Sequence, residues 1–122
     1  MQTKSILIVD DSEIVAQRLL LILKGSDGNG HAIRHAGDFP DAVRLLAESH
    51  PDIVLLDIHL HVRSGIELLQ YIKINYPATI VIMLTNESGD YYKKTCKNLG
   101  AAYFIDKSKE FELVTDIISS IP

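Results

Sequence analysis

Five short apolar runs punctuate the chain: Ile6–Val9, Ala32–Ile33 with its flanks, Ile53–Leu56, Ile80–Leu84 and Tyr103–Ile105. Each has the length of a strand. Most lack polar–apolar alternation, as expected where helices cover both faces of a parallel sheet. The stretches between them carry helical spacing instead. Ile14, Val15, Leu19, Ile22 and Leu23 form an apolar stripe, with Ser12 placed to cap its start. Phe39, Ala42, Val43, Leu45 and Leu46 form a second, with Pro40 suited to a first turn. Ile66, Leu68, Leu69 and Ile72 form a third, which stops before Pro77. A fourth runs from about Asp90 to Leu99 and ends at Gly100, and a fifth holds Leu113, Val114, Ile117, Ile118 and Ile121.

Strand and helix thus alternate five times. That order predicts an α/β, doubly wound, five-stranded parallel sheet, a flavodoxin-like (βα)5 unit with strand order 2-1-3-4-5. The loop from Gly25 to Gly30 leaves the start of the second strand least defined. In such sheets ligands sit beyond the carboxyl ends of the strands, so the informative positions follow residues 9, 56, 84 and 105.

The first strand runs into Asp10 and Asp11, the third into Asp57, the fourth into Thr85 and the fifth into Lys107. The first and third strands are neighbours in this order, so three carboxylates converge. Like charges so close must protonate or be relieved by a cation. Hard oxygen ligands in a partly open site suit Mg2+ or another divalent cation. A carboxylate nucleophile at Asp57, flanked by a lysine and a hydroxyl, is a constellation for phosphoryl transfer.

The motifs Ile-Leu-Ile-Val-Asp-Asp-Ser at 6–12, Asp-Ile-Val-Leu-Leu-Asp at 52–57, Gly65, Met-Leu-Thr at 83–85 and Gly-Ala-Ala-Tyr-Phe-Ile-Asp-Lys at 100–107 occur in order. With them the chain resembles the receiver domain of two-component response regulators over essentially its whole length, 1–122, as a single receiver domain. The resemblance implies that Asp57 is the phosphoacceptor, serving a histidine kinase or phosphotransfer protein. Asp11, Asp57 and the backbone carbonyl of His59 would bind Mg2+ directly, with Asp10 acting through metal-bound water. Thr85 and Lys107 would engage the phosphoryl group. Phe104 falls at the aromatic switch position, coupled to Thr85, and the face built from the fourth helix, fifth strand and fifth helix would change. His59 and Glu87 occupy positions that tune dephosphorylation, and a His–Glu ion pair there would lie over the site.

Three departures stand out. Ser108 replaces the proline that usually follows the lysine through a cis bond; a non-proline cis bond costs about 3 kcal/mol, so a trans Lys107–Ser108 bond is expected. Asn86 replaces a small residue, which predicts slower reaction with small phosphodonors. Leu60-His61 replaces the usual Met-Pro.

Composition narrows the alternatives. The 122 residues are 47% hydrophobic and 23% charged, with 16 acids against 12 bases. That acidity argues against direct nucleic-acid binding. No apolar run reaches the roughly 20 residues of a membrane span. The single cysteine, Cys96, fits a reducing cytoplasm and a small buried hydrophobe. The five histidines, His59 and His61 among them, do not complete a zinc site. Gly28-Asn29-Gly30 follows a helix, so it fails as a dinucleotide loop. The sequon Asn86-Glu87-Ser88 is expected to be silent. Tyr91, Tyr92, Lys93, Lys94 and Lys97 give the fourth helix an aromatic, basic face, either a solvated surface or a docking face for a downstream protein. The expected state is a monomer or weak dimer that catalyses only its own phosphorylation and dephosphorylation. A degenerate receiver that binds partners without phosphorylation is the main alternative. An Asp-nucleophile phosphohydrolase would want an acid at position 59, where His59 stands.

Overall fold

In a computed structural model, residues 3–25, 30–87 and 89–122 are described. Gly28, Asn29 and Ser88, singled out above in two short motifs, lie outside them. The elements alternate as β1 (Ser5–Val9), α1 (Glu13–Gly25), β2 (Ala32–Ala36), α2 (Phe39–Ser49), β3 (Ile53–Leu56), α3 (Gly65–Asn75), β4 (Ile80–Thr85), α4 (Asp90–Asn98), β5 (Tyr103–Asp106) and α5 (Leu113–Ser120). All strand pairs are parallel, in the expected order β2-β1-β3-β4-β5.

The unalternating apolar runs divide their side chains between two cores, because successive residues of a strand point to opposite faces. Leu7, Val9, Val54, Leu56, Val81 and Met83 pack with residues of α2, α3 and α4, including Cys96. Ile6, Ile8, Ile53, Leu55, Ile82, Leu84 and Ile105 pack with residues of α1 and α5. Each fully buried aliphatic side chain contributes about 1.5–3 kcal/mol of transfer free energy, so the central strands carry the fold.

Local signals set the helix ends. Ser12 Oγ accepts the Val15 N–H at 3.3 Å at the start of α1. Asp38 caps α2 by accepting the Asp41 N–H at 2.9 Å. Ser64 and Glu67 form a reciprocal capping box on α3. After α4 the chain turns at Gly100, whose φ of +108° is strained for any residue with a Cβ.

Three positions differ from the hydrophobic pattern, among them Leu113, which starts α5 and is 42% exposed. Ile14, placed on the buried stripe of α1, is 76% exposed, while Ala16, Leu19 and Leu23 face the core. Ala16, Leu19 and Leu23 recur at helical spacing, and Ile14 falls outside that stripe. Ile121 is buried but sits at the C-cap of α5 in extended backbone, after the helix ends.

Candidate functional site

The site begins where β1 and β3 stop. The Asp57 N–H donates to the Val9 carbonyl at 3.0 Å, and the Asp10 N–H to the Ala36 carbonyl at 3.1 Å. The sheet's own hydrogen bonding therefore fixes both aspartates at adjacent strand ends. Asp10 and Asp57 are buried, whereas Asp11 is exposed. Carboxylate oxygens of Asp10, Asp11 and Asp57 all lie within 4.8 Å of one another. Three oxygen donors of one charge, one of them open to solvent, suit a hard divalent cation that keeps part of its water.

Lys107 is the internal counter-charge. Its Nζ donates to Asp10 Oδ2 at 2.8 Å and to Asp57 Oδ2 at 2.9 Å. Asp10 Oδ1 accepts the Ser12 N–H at 2.8 Å, and Asp57 Oδ1 accepts the His59 N–H at 3.2 Å. Burial pushes the Asp10 carboxyl above the usual aspartate range, and the hydrogen bonds from Lys107 and Ser12 offset this only in part. At Lys107 burial favours the neutral amine, but the hydrogen bonds and charges of Asp10 and Asp57 together outweigh it and hold the ammonium above its usual range.

Thr85 ends β4, fully buried, and its Oγ1 accepts the Glu87 N–H at 3.2 Å. Its carbonyl accepts the Lys107 N–H at 2.8 Å. Phe104 pairs with Met83 across β4 and β5. Thr85 lies two residues beyond Met83, so Thr85 and Phe104 belong to the same sheet face. Phe104 is half-buried against the core on that face and lines a cavity of about 330 Å³ with Lys93, Lys97 and Tyr103. Tyr91 is 73% exposed. His59 Nε2 lies 2.8 Å from Glu87 Oε1, the side-chain pair expected from their positions. Asn86 is exposed, and no cis peptide bond occurs among the described residues, so Lys107–Ser108 is trans as expected.

Four features escaped the sequence reading. His35 Nε2 donates to the Asp10 carbonyl at 2.8 Å, which braces the β1 end from the edge strand. A lone histidine in the weakest strand gave no signal of this. The motif spacing marks Gly65 but gives no reason for glycine there. A Cβ there would overlap the Asp57 carbonyl oxygen, so glycine lets the start of α3 approach the Asp57 backbone. Val62 adopts φ +76° at the centre of a three-residue turn closed by Arg63 N–H to the His61 carbonyl at 2.9 Å. Asp106 is buried and gathers the loop that carries Lys107; Asp-Lys-Ser is an Asx-turn sequence, a signal that was present.

The comparisons agree with this geometry. The family model for the response regulator receiver domain matches residues 6–119. A protein-glutamate methylesterase/protein-glutamine glutaminase from Hahella chejuensis is 35% identical over 83 residues, which are 68% of this chain but 23% of that protein. The chain thus matches only a minor part of that relative's length. The signal receiver domain of a DNA-binding response regulator (merR) from Colwellia psychrerythraea 34H superimposes with a TM-score of 0.86 at 29% identity, covering 94% of each chain. The chemotaxis protein CheY4 of Vibrio cholerae shares the fold, with a TM-score of 0.87 at 23% identity over 99% of this chain and 100% of that one. With strand order, acidic cluster and lysine in place, the chain belongs to the response regulator receiver domain family.

Proposed function

We propose that residues 1–122 act as one phosphoacceptor unit, taking a phosphoryl group onto Asp57 from the phosphohistidine of a kinase or phosphotransfer protein. An Asp57 carboxylate oxygen attacks phosphorus, the donor's P–N bond breaks, and its electron pair stays on the imidazole nitrogen. Lys107, already within 2.9 Å of Asp57, meets the charge on the transferred group, and Thr85 supplies a hydroxyl from the next strand. Asp11, Asp57 and the His59 carbonyl would hold Mg2+, with Asp10 acting through its water. When bound, the ion neutralises the carboxylates and the equatorial oxygens.

The observation that carries this reading is the single ammonium shared by Asp10 and Asp57 at the ends of two adjacent strands. Once Asp57 is modified, Thr85 gives up its bond to the Glu87 N–H and Phe104 turns into the space vacated on the same face. The surface of α4, β5 and α5 then changes for a downstream protein. His59 and Glu87 sit across the two loops that frame Asp57 and Thr85, and they tune how long the phosphoryl group survives. The setting is cytoplasmic, without direct nucleic-acid binding, and the unit is a monomer or weak dimer with no activity beyond its own phosphorylation and dephosphorylation.

Incubation with Mg2+ and acetyl phosphate, read by intact mass, tests the reading. One phosphoryl adduct in the wild type and none in Asp57→Asn is expected. An adduct that persists in Asp57→Asn, or none in the wild type, contradicts it.

A further inference from the structure

The Lys107 loop lacks the proline usual in the family, yet it aims its ammonium at both aspartates. The local hydrogen bonds explain how. Asp106 Oδ1 accepts the Ser108 N–H at 2.9 Å, the Ser108 hydroxyl at 2.7 Å and the Lys109 N–H at 3.3 Å. The Asp106 carbonyl accepts the Glu110 N–H at 2.8 Å, and the Asp106 N–H donates to Glu110 Oε1 at 3.0 Å. Asp106 thus behaves as the N-cap of a turn that begins at Lys107. Upstream, the Lys107 N–H is tied to the Thr85 carbonyl at 2.8 Å. Lys107 is therefore fixed on both sides, by β4 before it and by the Asp106 carboxylate after it.

We propose that Asp106 and Ser108 form a positioning clamp that holds Lys107 through a trans Lys107–Ser108 peptide. The clamp rests on the phosphoacceptor reading for its effect on rate, but not for its effect on where Lys107 lies. Its chemistry has a direct consequence. Proline at 108 would remove the N–H that Asp106 accepts and the hydroxyl beside it, and would push Lys107 toward extended backbone. In this chain, restoring the family's usual residue damages the site.

Four variants test the clamp: Asp106→Ala, Asp106→Asn, Ser108→Ala and Ser108→Pro. Asparagine keeps an acceptor oxygen at the same place, so it should rescue what alanine loses. Initial labelling by acetyl phosphate should fall about tenfold or more in Asp106→Ala and Ser108→Pro, as expected for a misplaced charged donor. Asp106→Asn should stay within about threefold of wild type, Ser108→Ala should fall between, and Mg2+ affinity should not fall in any of the four, because a displaced ammonium leaves the carboxylates to the ion. A merely structural role would lower labelling, Mg2+ affinity and melting temperature together. The Lys107 ammonium, held by two carboxylates, gives a second readout by NMR. Its signal should persist in Asp106→Asn and be lost or shifted in Asp106→Ala and Ser108→Pro. Because Ser108 is exposed, Ser108→Pro keeps the test valid even where Asp106→Ala fails to fold. An unchanged Lys107 signal in Ser108→Pro, or wild-type labelling with proline there, overturns the clamp. Absence of labelling in the wild type overturns the phosphoacceptor reading instead, and the Lys107 signal then decides the clamp alone.

Discussion

Asp10 is held in a place that disfavours its charge. Its carboxyl is buried beside Asp57, and burial outweighs the help from Lys107. A folded-state pKa raised above the unfolded value means that the native chain takes up this proton first. Stability from Asp10 is therefore greatest at low pH and declines as pH rises from 3.8 through the raised value. At neutral pH the charge is a standing cost. Asp10→Asn should raise the melting temperature while weakening Mg2+ binding, measured by thermal unfolding and by ion titration. On the proposed arrangement Asp10 accepts from metal-bound water, so its protonation would weaken that hold, and Mg2+ affinity in the wild type should start to fall at a higher pH than for an unburied aspartate. Lys107 has no such effect near neutrality. Its raised pKa gives stability that is complete below 10.5 and is lost only as pH climbs through the folded value. Val62 is a second residue under strain, a β-branched side chain at φ +76° and 89% exposed. Val62→Gly should stabilise the fold by about 1 kcal/mol in denaturant titration, since it relieves strain and loses little packing. Asn86, exposed beside Thr85, is proposed to slow small phosphodonors. Acetyl phosphate should label Asn86→Ala faster than wild type, and equal rates would count against that role.

The elements were legible to different depths. The central strands announced themselves through unbroken apolar runs, because two covering helix layers leave no polar face to interrupt them. Helix ends were legible where chemistry dictates them, as with Ser12 before α1, Pro40 in α2 and Gly100 after α4. Ile14 was placed wrongly because a stripe of five apolar residues is wider than the strip of α1 that meets the sheet. The strand-end residues Asp10, Asp57, Thr85 and Lys107 could be read because topology alone brings strand ends together. His35 could not be read as a partner, since its role depends on side-chain direction in an edge strand, whereas the turn at Asp106 was legible in Asp-Lys-Ser. Gly65 joins the two kinds of information. It begins α3 against the backbone of Asp57, so Gly65→Ala should move Asp57 as well as the helix. That change should cost about 2 kcal/mol of stability and lower labelling at Asp57, as denaturant titration and intact mass would show.

For the whole molecule, the sheet is a frame that gathers the acidic cluster at the carboxyl ends of its strands and leaves the α4–β5 groove at one side. β3 and β4 carry Asp57 and Thr85 to the cleft, and β5 carries both Lys107 and Phe104. On the proposed function, reaction at Asp57 would bear on the α4–β5 groove through strands already packed together. The most direct test is a titration of the Mg2+-loaded protein with beryllofluoride, a mimic of the phosphoryl group, followed by backbone amide NMR. Saturable shifts at Asp57, Thr85 and Lys107 that extend to Phe104 and α4 are the predicted result. A folded sample that binds Mg2+ but shows no shifts would contradict the account. The chain would then be a receiver whose docking surface works without phosphorylation.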